Sequence, residues 1–120
     1  MVASVGTVLV AVAAPSCGGA GGAPAAPISF ARQIQPMFDA NCVSCHPSSY
    51  PYLDLRPGHA YRDLVGVPAA TAPSYERVLP NRPDLSYLLI GPEDPSRRGL
   101  LTSADRRLIA AWIRQGAKDN

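Results

Sequence analysis

Cys42-Val43-Ser44-Cys45-His46 is the stretch on which the reading of this chain turns. It sets two thiols three positions apart, with an imidazole directly after the second. Three familiar uses of such thiols can be weighed first. A dithiol redox pair of the thioredoxin kind belongs in a βαβ setting, and no such pattern surrounds residues 42–45. A structural zinc site takes four protein ligands; the remaining Cys and His of the chain are Cys17, across a glycine-rich stretch, and His59. A plain disulfide is open to a chain that is exported from the reducing cytoplasm.

A fourth chemistry uses all three side chains at once. Two thiols at this spacing can add to the two vinyl groups on one edge of a haem, and the adjacent imidazole then meets the iron. Cys-x-x-Cys-His is the attachment signature of c-type haem. On this reading one haem c is held covalently through Cys42 and Cys45, and His46 is the proximal iron ligand. Covalent attachment also guards against cofactor loss outside the cell.

Working outward, the flanking segments read as helices and loops. Ser29 is placed to cap a helix beginning at Phe30. Phe30, Ile34 and Phe38 recur at i, i+4 and i+8, giving it one apolar face. Pro36 removes a backbone donor from this stretch and marks a point where a helix can kink. The helix is expected to end near Asn41. Pro47 to Pro57 reads as a loop with Leu53 and Leu55 turned inward. A short helix is expected over Ala60 to Val65, and Pro68 to Pro83 reads again as loop, broken by Pro68, Pro73, Pro80 and Pro83. Asp84 is placed to cap a short helix carrying Leu85, Leu88 and Leu89, and Gly91 to Gly99 reads as a charged loop. The last element is the plainest. Thr102 with Asp105 forms an acidic variant of the capping box, Leu108, Ile109, Trp112 and Ile113 form one stripe, and Gly116 sits where a helix ends on glycine. The two stripes are expected to pack on each other. Nothing reads as strand.

The N-terminal part differs in kind. All 11 basic and all 9 acidic residues lie at Arg32 or later. Val2 to Ala14 is apolar, too short to cross a bilayer as a helix, and suited to the apolar core of an export signal. Val12-Ala13-Ala14-Pro15-Ser16-Cys17 resembles a bacterial lipoprotein signal, which implies lipidation at Cys17 and a membrane anchor. Residues 1–16 are therefore expected to be signal, 17–28 a Gly/Pro/Ala linker, and 29–117 the folding unit. A unit of that size buries little core of its own. The net charge is +2, and its cations are scattered rather than gathered into the stripe that nucleic-acid binding would need.

Taken together, Phe30-Ala31-Arg32-Gln33-Ile34-Gln35-Pro36-Met37-Phe38-Asp39-Ala40-Asn41-Cys42-Val43-Ser44-Cys45-His46 resembles the opening of single-haem c-type cytochrome domains of exported bacterial proteins. Leu53-Asp54-Leu55-Arg56, Leu64-Val65-Gly66-Val67-Pro68 and Ala111-Trp112-Ile113-Arg114-Gln115-Gly116-Ala117 are similar to later segments of those domains. The resemblance implies an all-α, cytochrome c-like fold, with N- and C-terminal helices packed around one covalent haem and a loop-rich middle. It implies an acceptor for the second His46 nitrogen among the backbone carbonyls of residues 47–57. It also implies electron transfer between redox partner proteins, without enzymatic activity, in the periplasm or cell envelope.

The distal side departs from that pattern. Such domains usually supply a methionine shortly before the last helix, often followed by proline; here Asp94 precedes Pro95. Met37 lies just before the Cys pair and reads as core filler. His59 is the remaining candidate for a sixth ligand, beside the plain reading of a surface histidine at a helix start. The third option is an open or water-bound face with Asp94 or Tyr87 nearby. An open iron would bind small ligands or turn over peroxide, which is the alternative to electron relay. Without methionine ligation the reduction potential is expected to be lower than that of a His/Met haem.

Overall fold

The computed structural model describes residues 26–91 and 99–120, so the segment expected to be an export signal, Cys17 and Asp94 lie outside the described residues. Among the described residues the chain is helical and has no strand, only two isolated bridges, Val65 with Val78 and Pro68 with Glu76.

The first helix begins where Ser29 Oγ accepts from Arg32 N. Its course is governed by Pro36. The proline cannot donate to a carbonyl one turn back, and the chain widens ahead of it into a π-helical turn, Phe30–Ile34, in which Gln35 N donates to Phe30 O. Pro36 then stands in the first turn of helix α1, Gln35–Asn41, where a missing N–H costs nothing. The apolar spacing survives the change of pitch, and Phe30, Ile34 and Phe38 are all buried.

Helix α2 spans Ala60–Leu64 and buries both of its end residues. The segment after it folds back on itself: Gly66 N donates to Val78 O and Arg77 N to Val67 O. In place of the single helix expected from an Asp84 cap, a 3₁₀ turn, Pro83–Leu85, is succeeded by a separate helix α3, Tyr87–Ile90. The break is at Ser86. Its buried hydroxyl accepts from Leu79 N at 2.9 Å and donates to Arg82 O at 2.9 Å, which pins the chain between the two turns. Asp84 turns outward to Arg82, and Leu85 is exposed rather than part of the apolar face.

Helix α4, Ser103–Arg114, starts and stops as its sequence implies. Thr102 Oγ1 accepts from Asp105 N, and Asp105 in turn accepts from Thr102 N. At the other end Gly116, at φ +103°, allows Gly116 N to reach Ile113 O and Ala117 N to reach Trp112 O, the paired bonds of a Schellman ending.

The terminal helices meet through aromatic rings. The Phe30 and Trp112 ring centroids are 5.1 Å apart, and the Tyr61 ring stands edge-on to Phe30 at 5.4 Å. Ile34, Phe38, Leu64, Val78, Ile109 and Ile113 complete the core around them. Polar bonds close the seam. Gln115 accepts from Ile28 N, Asn120 accepts from Phe30 N and Ala31 N, and Tyr61 Oη donates to Ala117 O. Trp112→Ala is expected to cost about 3–5 kcal/mol, as for large aromatic truncations in packed cores. Thr102→Ala is expected to cost about 1 kcal/mol as the loss of a cap. Denaturant unfolding of the two variants beside the parent measures both, and equal losses would contradict this placement of the core.

Candidate functional site

The Cys42–His46 run is a tight turn built on the end of α1. Cys42 N still donates to Phe38 O at 2.8 Å, so the first cysteine is held by the helix. Its own carbonyl then accepts from both Cys45 N and His46 N, at 3.1 and 3.0 Å, which bends the chain back on itself. Cys45 O accepts in turn from Ser49 N and Tyr50 N. The positions of Cys42, Cys45 and His46 are thereby fixed by backbone bonds.

All three line one cavity of about 300 Å³, at the lower end of the range for small-molecule sites. Phe38, Leu53, Leu55, Leu64 and Leu88 supply its apolar wall, and Tyr50, Tyr52, Thr71, Tyr87 and Arg77 add polar atoms. Both thiols are free. Cys42 is buried, and its thiol is pushed up to about 11, first by burial and then by the neighbouring Cys45. Cys45 is exposed at the rim. The His46 ring is stacked on Tyr50, with centroids 5.1 Å apart, and Tyr52 stands edge-on to it at 6.4 Å.

Leu53 and Leu55 do turn inward, and the loop that carries them is tied down by side chains from helices. Gln35 Nε2 donates to Leu55 O, and Asp54 N donates to Asp63 Oδ2, both at 2.9 Å. Arg77 reaches across the same region, donating to Asp63 O at 2.8 Å and Tyr52 O at 3.0 Å.

His59 is not brought to this cavity. It precedes α2 on the surface, with Nδ1 3.0 Å from an Arg62 nitrogen and 3.6 Å from Asp54 Oδ2. Hydrogen bonds from Arg56 hold the Asp54 carboxyl well below the usual carboxylate range. Met37 packs against the core from beside it and does not line the cavity. Tyr87 does line it, with its hydroxyl 3.2 Å from Thr71 Oγ1. Among the described residues no group of three or more His, Cys, Asp or Glu side chains is gathered to hold a metal ion. Among the same residues no helix is long and apolar enough to cross a membrane.

Sequence reasoning does not find Arg77 or residues 69–71 as wall residues. They arrive through the Val65–Val78 fold-back, whose backbone pairing leaves no periodic trace. Tyr50 and Tyr52 are visible as residues near the motif, but their grip on His46 depends on the turn after Pro47.

Comparison with protein-family models, with curated proteins and with solved structures gives no match. The chemistry of the site therefore rests on its own residues. Two thiols, one buried and one at the rim, and an imidazole lining the same cavity could hold a flat, largely apolar group covalently at its edge and ligate a metal at its centre.

The two thiols are unequal in their surroundings. In the cofactor-free chain at pH 8, Cys45 is expected to react with iodoacetamide ~10-fold or more faster than Cys42, because the thiolate is the nucleophile. Peptide mapping of partly alkylated protein reads the ratio, and equal labelling would contradict the burial of Cys42.

Proposed function

We propose that this chain carries one covalent haem c in the cavity and relays single electrons between redox partner proteins. The observation that carries the reading is that Cys42, Cys45 and His46 all open onto the same apolar cavity. The residues present suit the group. Two sulfurs are available for thioethers, an imidazole can serve as axial ligand, and Leu53, Leu55, Leu64 and Phe38 offer the dry surface a porphyrin face needs. When bound, the haem supplies an iron that takes up and gives back one electron. Cys42 and Cys45 hold its edge, and His46 is kept in place by the turn at Cys42 and by the Tyr50 ring. The leucines exclude water, which lowers the local dielectric and limits the solvent reorganisation that electron transfer must overcome.

The uncharged Val/Ala stretch and Cys17 support export and lipid anchoring, with the domain at work in the periplasm or cell envelope. The scattered cations suit protein partners better than nucleic acid. A cytochrome c-like arrangement of the helices belongs to the same proposal, supported by the contact of the terminal helices.

One observation favours a second reading. Neither His59 nor Met37 lines the cavity, and among the described residues His46 is its only histidine. With no second histidine or methionine among those lining residues, a haem there could bind small ligands or turn over peroxide at an open or water-bound position.

Purified exported protein is expected to show a Soret band and a tryptic peptide spanning residues 42–46 that carries the mass of haem. Cys42→Ala or Cys45→Ala is expected to remove the two-point attachment and much of the stability. A chain made with an active haem-attachment system that carries no haem mass would end this reading in favour of a disulfide or metal module.

The same preparation separates relay from ligand binding. A low-spin spectrum indifferent to carbon monoxide supports relay, and a high-spin spectrum that shifts with it supports the second reading. His59→Ala is expected to leave either spectrum unchanged; conversion from low to high spin would identify His59 as an iron ligand.

A further inference from the structure

Backbone bonds place the Cα of His46, but they do not set the rotation of its ring. The torsion about the Cβ–Cγ bond of a histidine is broad and roughly two-fold. An imidazole that must present one nitrogen in a fixed direction therefore needs a neighbour to choose its plane. In many metal sites a hydrogen bond to the second nitrogen has this task. Here two aromatic rings stand beside the imidazole. The Tyr50 ring is stacked on it, with centroids 5.1 Å apart and planes inclined by 29°. Tyr52 stands edge-on to both rings, 6.4 Å from His46 and 6.0 Å from Tyr50. A ring laid on the imidazole face blocks rotation and leaves the nitrogen edge open.

The two tyrosines are themselves held. Tyr50 N donates to Cys45 O at 3.0 Å, in the turn that carries His46, and Tyr52 O accepts from Arg77 at 3.0 Å. Both residues line the cavity, yet Tyr50 is 37% exposed and Tyr52 46%, and neither belongs to the buried core. The core closes without them, while their rings meet the imidazole and each other. We propose that Tyr50, buttressed by Tyr52, is the positioning residue of the haem site and sets the plane of the His46 imidazole about the iron–nitrogen axis. This deepens the haem reading and rests on it. The plane matters because the imidazole π system splits two iron d orbitals that otherwise lie close in energy. A fixed plane gives that splitting one direction across the ring, whereas a turning imidazole gives a spread of directions. Ligand orientation of this kind is kept by neighbours whose own rotamers are locked.

The ferric electron paramagnetic resonance spectrum of the haem-loaded protein reads the plane, through the g values of a low-spin iron or the rhombic splitting of a high-spin one. Parent, Tyr50→Phe and Tyr50→Leu are compared, with covalent haem verified by mass. Phenylalanine keeps the flat ring and drops the hydroxyl; leucine keeps apolar cover and drops the ring face. The expected result is a parent-like spectrum in Tyr50→Phe and shifted, broadened features in Tyr50→Leu. A parent-like spectrum in Tyr50→Leu, or the same shift in both variants, would overturn the assignment and leave Tyr50 as loop packing. If Tyr50→Leu takes up no haem, Tyr52→Leu, which removes only the buttress, decides: broadened features support the assignment and a parent-like spectrum overturns it. Absence of covalent haem from the parent protein is a different failure. It is seen before any variant is compared, and it removes the haem reading together with this inference.

Discussion

The contact of Phe30 with Trp112 is the constraint on which the rest of the molecule hangs. It joins the first described helical turn to the last helix, 5.1 Å between ring centroids, and Tyr61 closes the cluster from α2. Three sequence-distant segments are thereby held at one point, and burial of large aromatic surface is the strongest non-directional force available to so short a chain. The consequence reaches the site through α1. Once Phe30, Ile34 and Phe38 are fixed against α4, the end of α1 is fixed too, and Cys42 is tied to it by a single backbone bond to Phe38. The π-helical turn belongs to this constraint. A helix held on α4 by its apolar face has to absorb Pro36 without losing that face, and widening the pitch ahead of the proline does so.

The loops are governed by a different rule. They bury little apolar surface, so their positions depend on polar groups that would be costly to leave unpaired in the interior. Gln35 holds Leu55 by its carbonyl, Asp63 holds Asp54 by its N–H, and Ser86 holds both Leu79 and Arg82. Each of these side chains stands on or beside a helix and reaches to a loop backbone. The cavity wall is the result: helices present leucine and phenylalanine, and the loops are drawn over them by anchors one side chain long.

This division explains what can be read from the sequence. The terminal elements are legible because their signals are local. The Thr102–Asp105 box, the stripe ending at Ile113 and the glycine at 116 each lie within a few residues of the feature they produce. The Cys42–His46 turn is legible for the same reason. The helix expected at Asp84 is misplaced because a second polar residue, Ser86, stands two positions on and breaks the segment. Leu79 decides that Ser86 is the one turned inward, and the local sequence does not announce its approach. His59 is a candidate by residue type alone, and its ties to Arg62 and Asp54 hold it at the surface. In the sequence Arg77 is one of many scattered cations; only the pairing of residues 65–69 with 75–78 turns it inward.

Core and cavity are not separate compartments here. Phe38, Cys42, Leu55 and Leu64 belong to the buried cluster and also line the cavity. One side of each joins the core around Ile34 and Trp112, and the other is left to meet something apolar. A domain of this size is short of core, and a flat apolar group in the cavity would complete the wall these residues begin. On the proposed function, attachment and folding are then two aspects of one event. The cofactor would cover surface that the chain cannot cover itself, and the thioethers would keep it there at no recurring entropic cost. The arrangement also explains the placement of the two thiols. Cys42, inside, is positioned by the core it belongs to, and Cys45, at the rim, remains reachable by whatever delivers the group.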